Sequence, residues 1–121
     1  MKTNELSFTE LILHPKFAEL VRENIHSINQ QRQKILNAAK RNGVHDPKFK
    51  ATPFSTLQSQ GMFDDPTQVG IEFLKIENKE SKLPYLQREF VHDFVQSNLL
   101  RTIVALQKEE KEVTNGNDIK D

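Results

Sequence analysis

An all-α fold is predicted by three features of the sequence. Two long stretches repeat apolar residues every three or four positions, prolines stand where helices begin, and no pair of strand-like runs is joined by a hairpin signal. The expected architecture is a small helical domain built on two long helices, about 15–42 and 84–112, with two or three short helices between and before them.

In "SFTE", beginning at Ser7, a hydroxyl precedes a glutamate by three positions. Each side chain can then satisfy a backbone N–H left without a partner at a helix start. A short helix is expected as far as Leu13. His14 and Pro15 interrupt it, because proline has no N–H to donate and disfavours helical geometry in the residue before it. His14 therefore reads as a hinge, and Pro15 as the first turn of a new helix.

That helix carries Phe17, Leu20, Val21, Ile25, Ile28, Ile35 and Ala39 at helical spacing, and "KRNG" closes it with cations and a glycine. At 1.5 Å per residue it would span about 42 Å. "GVHDPKFKATP" reads as a connection. Pro53 opens a short helix that Gly61 ends, and Asp65 with Pro66 starts another reaching about Glu80, with Gly70 inside it at a cost of about 1 kcal/mol relative to alanine. "SKLP" breaks the chain before the last long helix. Residues 1–113 thus form one domain, and 114–121 read as a flexible polar tail.

A chain of 121 residues can bury roughly two thirds of the surface its unfolded form exposes, enough for one core. The absence of cysteine excludes disulfides, thiolate nucleophiles and Cys-ligated zinc. "MKTNELSFTELIL" is neither a signal peptide nor a membrane span, so a cytoplasmic location with no membrane contact is expected. Formal charge sums to zero, but residues 1–50 hold nine Lys/Arg against five Asp/Glu, and the rest eight against twelve. The two halves are expected to complement each other within the fold or across a dimer. The competing reading is a regulator that contacts nucleic acid or another anion through a basic surface at Lys40, Arg41, Lys48 and Lys50. The eight Phe sit at core spacings, which argues against nucleic-acid binding by base stacking.

"ENIH" and "EFVH" each place a glutamate three residues before a histidine, giving Glu23/His26 and Glu89/His92. Carboxylate-bridged metal bundles use this spacing on helices that face one interior. Stepping about 100° per residue from Phe17, Glu23 falls near 240° and His26 near 180°, away from the apolar stripe at about 0° to 80°. Taken from Leu83, Glu89 and His92 fall at about the same two angles, while Leu86, Phe90, Val91 and Phe94 gather at roughly 300° to 80°. Both pairs belong to polar faces, where solvated surface is their ordinary role. They could ligate a metal only if those faces met in an assembly. No phosphate loop or nucleophile elbow accompanies them, so neither a cofactor nor catalysis is expected.

Beyond Gln96, the residues Leu99, Leu100, Ile103, Val104 and Leu106 fall at about 140° to 300°, as though the apolar stripe had changed sides. Either the helix kinks at Ser97 and Asn98, or it continues and turns "LLRTIVAL" toward another chain. The second reading is preferred. It predicts a non-enzymatic interaction or structural module that self-associates through these five residues, most simply as a closed dimer, and engages a protein partner of unspecified kind.

Overall fold

The computed structural model describes residues 3–43 and 52–119, the last seven of them as backbone only. After a 3₁₀ turn at Thr3–Glu5 come five helices: α1 Phe8–Ile12, α2 Pro15–Arg41, α3 Pro53–Ser59, α4 Pro66–Glu77 and α5 Tyr85–Ile119. There are no strands among the described residues, and the protein is all-α with two long helices, as the apolar periodicity requires.

Each helix starts where local chemistry permits it. Ser7 and Glu10 form the capping box of α1: the Glu10 amide donates to Ser7 Oγ, and the Ser7 amide donates to Glu10 Oε1, both at 3.2 Å. His14 is a cap and not simply a hinge. Its backbone is extended, and its Nδ1 accepts from the Lys16 amide at 3.0 Å, so the ring serves the first turn of α2. Thr52 and Asp65 cap α3 and α4 in the same manner. Pro15, Pro53 and Pro66 follow these caps, at positions where a missing N–H costs nothing.

α3 and α4 end alike. The Met62 amide reaches back to the Leu57 carbonyl and the Gly61 amide to that of Gln58; after α4, Glu80 reaches Lys75 and Lys79 reaches Ile76. Each is the paired closure that requires a left-handed residue just past the helix. Gly61 supplies it with φ 82°, whereas at the second site Lys79 adopts φ 60°.

α5 is the central post, touching the 3₁₀ turn and every other helix. α2 lies antiparallel to it. Lys16 at the start of α2 approaches Glu109 at 3.3 Å, while Arg32 lies over Phe54, whose ring meets Phe90 near the start of α5. Between them the core gathers Leu11 and Ile12, Phe17 and Val21, Leu57, Val69 and Phe73, and Val91, Val95 and Leu99. Four phenylalanines close one end of it. Phe54 stacks on Phe63 at 5.1 Å, and Phe90 and Phe94 complete the group with centroids 5.5 to 6.1 Å from Phe63.

Two departures from the helical wheel follow from where the core stops. Ile35 shares the angular stripe of Phe17 and Val21 yet is half exposed, because the core packed against that stripe ends before it. Leu86, placed on the core side by its wheel angle, is 63% exposed. α5 also continues as helix to Ile119, so backbone expected as a tail is helical to that point; the side chains beyond Glu112 lie outside the described residues.

Candidate functional site

α5 shows no interruption at Ser97 and Asn98; the helix is continuous through them. The buried stripe does not change sides either. It runs Val91, Phe94, Val95, Asn98, Leu99, Thr102 and Leu106, at helical spacing throughout. What changes is its chemistry, because Asn98 and Thr102 are both fully buried polar residues. Asn98 Nδ2 donates to the Phe94 carbonyl at 2.8 Å, and Thr102 Oγ1 donates to the Asn98 carbonyl at 2.7 Å. Both side chains fold back on the preceding turn, which lets them sit inside a packed interface. A wheel scored by apolar residues alone skips these two positions and makes the stripe seem to move.

The five residues at this end of α5 therefore divide. Leu99 and Leu106 are buried in the chain's own core, and Ile103 packs against it partly buried. Leu100 and Val104 face the other way, 60% and 64% exposed. They lie one helical turn apart, about 6 Å along the axis, on the side opposite Thr102. With them on that outer face are Asp93, whose side chain is 84% exposed, and the exposed Ser97, Gln107 and Lys111.

At the corner between α4 and α5, a shallow groove of about 280 Å³ is lined by Ile76, Tyr85, Arg88, Glu89, His92 and Asp93. His92 lies against Phe73, with centroids 5.4 Å apart, and its Nε2 meets Glu77 Oε1 at 2.9 Å. Its Nδ1 stands 3.5 Å from Asp93 Oδ1. The Tyr85 hydroxyl donates to Glu89, and this hydrogen bond, reinforced by the carboxylate's charge, raises the phenol above its ordinary 10.0. No serine or threonine lines the groove. Its polar groups are engaged with one another, an arrangement that fastens α4 to α5.

The two Glu/His pairs do not converge. Glu23 and His26 are exposed on α2, while Glu89 is taken up by Tyr85 and His92 by Glu77 and Asp93. Among the described residues no group of three or more His, Cys, Asp or Glu side chains is arranged to hold a metal ion. Glu10 serves the α1 cap, and Glu72 leaves one carboxylate oxygen buried without a hydrogen bond. Of the basic residues, Lys40 and Arg41 occupy the last turn of α2, exposed at its carbonyl end, where cations favour the helix dipole. Lys48 and Lys50 lie outside the described residues, as do His45 and Asp46.

Sequence reasoning missed Asn98 and Thr102, whose polarity hid a buried stripe, and it missed the pairing of Glu77 with His92. The heptad spacing of Val91, Asn98 and the half-buried Ala105 is a signal that could have exposed the first; the second arises only when α4 folds against α5. Among the described residues no helix is long and apolar enough to cross a membrane. No family model matches the sequence, and no curated protein or solved structure matches the chain.

Proposed function

We propose that this protein is a non-enzymatic helical interaction module that self-associates through the outer face of α5. One observation carries the reading: Leu100 and Val104 stand 60% and 64% exposed one turn apart, on a helix whose opposite face is already filled by its own domain. Two branched apolar side chains one turn apart form a patch that a second chain can cover. The reading is narrower than the one the sequence suggested, since Leu99 and Leu106 are committed to the core and Ile103 serves as its edge.

The size of the patch sets the strength of the association. Burying one such side chain completely gains about 1.5–3 kcal/mol, and four partly exposed ones meet in a dimer. That gain is of the same order as the freedom lost on association, so only a weak dimer is expected, to be sought from micromolar to millimolar concentration.

Sedimentation equilibrium across that concentration range tests the proposal. The wild-type chain is expected to show a reversible monomer–dimer equilibrium. Leu100→Glu with Val104→Glu is expected to abolish it while leaving helicity and the thermal midpoint of the dilute monomer unchanged, because both side chains already face water in one chain. A wild-type chain that stays monomeric at millimolar concentration overturns the reading.

A further inference from the structure

We infer that two copies of this chain pair antiparallel along α5, about a two-fold axis at the level of Thr102, with Asp93 of each copy opposite Lys111 of the other. The inference rests on the proposed self-association and adds its geometry. Asp93 lies seven residues before Leu100 and Lys111 seven after Val104, so the four residues are placed symmetrically about position 102. At about 100° per residue from Leu83, they fall at about 280°, 260°, 300° and 280°, a single narrow face. Ser97 and Gln107 complete it, equidistant from the same centre.

Symmetry then decides the orientation. In an antiparallel pair, residues equally far before and after the centre share a height. Leu100 packs beside Val104 of the second copy, Ser97 lies level with Gln107, and the Asp93 carboxylate meets the Lys111 ammonium at both ends. A parallel pair instead stacks Asp93 on Asp93 and Lys111 on Lys111, and it aligns two helix dipoles head to head. The charges available to do this are open to solvent. Asp93 keeps 84% of its side chain exposed despite its 3.5 Å approach to His92 Nδ1, and Lys111 is exposed. The same pattern accounts for the modest apolar area: two layers of Leu100 against Val104 give the contact, and the ionic ends fix its register and direction.

Charge reversal tests the orientation. Asp93→Lys alone, or Lys111→Asp alone, sets like charges opposite each other twice per dimer and is expected to weaken association about tenfold at low salt. Asp93→Lys with Lys111→Asp is expected to restore it to within about threefold. Because the chain contains no cysteine, a spin label at Glu89→Cys reports direction independently. Twenty-six residues of helix separate the two labelled levels in the antiparallel pair, so the labels should stand about 40 Å apart; the parallel pair puts them about 10 Å apart. A dimer that ignores both single reversals, or that gives the short distance, overturns the antiparallel register and leaves self-association standing. A chain that never dimerises overturns both.

Discussion

Gly70 looks, in sequence, like a flaw in a helix. In the structure it lies directly against Ile12 of α1. A β-carbon built there would lie 2.3 Å from Ile12 Cγ2 and 3.0 Å from Cγ1, far inside van der Waals contact. The glycine therefore exchanges about 1 kcal/mol of helix propensity for a close approach that seats Ile12, which is 2% exposed, in the core. Gly70→Ala should lower stability by about 1–3 kcal/mol in urea unfolding. Ile12→Ala should be costly alone, but the double variant should cost less than the two singles added, since the new methyl occupies space the isoleucine has left. A second residue of this kind is Lys79. It holds the left-handed position that Gly61 holds at the end of α3, and there the structure tolerates backbone strain in a side chain whose replacement by glycine would relieve it. Starts and stops at this scale were largely legible, because a cap or a proline acts on its own few neighbours. Ser7, Asp65, Pro66 and Gly61 all do what local chemistry implies. The role of His14 was not, since a histidine cap cannot be told from a spacer until its ring is oriented.

At the scale of the element, α5 shows how two polar residues can conceal a buried face. The angular argument was sound for Val91 and Phe94, and it failed where Asn98 and Thr102 stand on the stripe with no apolar side chain to mark it. Their polarity is met internally, but not completely: Asn98 Oδ1 is buried without a hydrogen-bond partner. Leaving such an acceptor unsatisfied costs about 1–3 kcal/mol, so Asn98→Leu, which keeps the branching and the number of side-chain heavy atoms, should raise stability by about 1 kcal/mol in a denaturant titration. An equal loss in that titration would mean the amide makes a bond worth keeping. For α2 the error had a different cause. Ile35 lies on the stripe that Phe17 begins, yet helical period tells only which side is apolar and says nothing of how far the neighbouring elements extend along it.

The whole molecule is held by contacts that cross between the two halves of the chain. Their opposite charge balance, visible in composition, takes physical form where Lys16 of α2 meets Glu109 of α5; beside that ion pair, the uncharged Thr3 amide and hydroxyl both donate to Glu110. Lys16 is raised above 10.5, first by its hydrogen bond to Glu19 and then by that to Glu109. A raised folded-state value means that this contribution is fully present below pH 10.5 and fades as pH rises through the folded value. Thermal midpoints measured from neutral to strongly alkaline pH should therefore fall more steeply for the wild type than for Glu109→Gln, and more so at low salt, because the site is open to solvent. Partner choice across the fold, by contrast, was only partly legible. That a positive half should meet a negative half follows from charge counts, but which lysine meets which glutamate depends on the antiparallel register of α2 on α5.

The groove at the corner of α4 and α5 has one more property that follows from composition. Tyr85 is the single tyrosine of a chain with no tryptophan, and its hydroxyl is bonded to Glu89. A phenol that donates to a carboxylate emits weakly, because the excited state can pass its proton across that bond. The folded protein should thus be dim, and its ultraviolet emission should brighten when the first turns of α5 come apart. The molecule carries its own optical reporter at the end of its longest helix, with no label added.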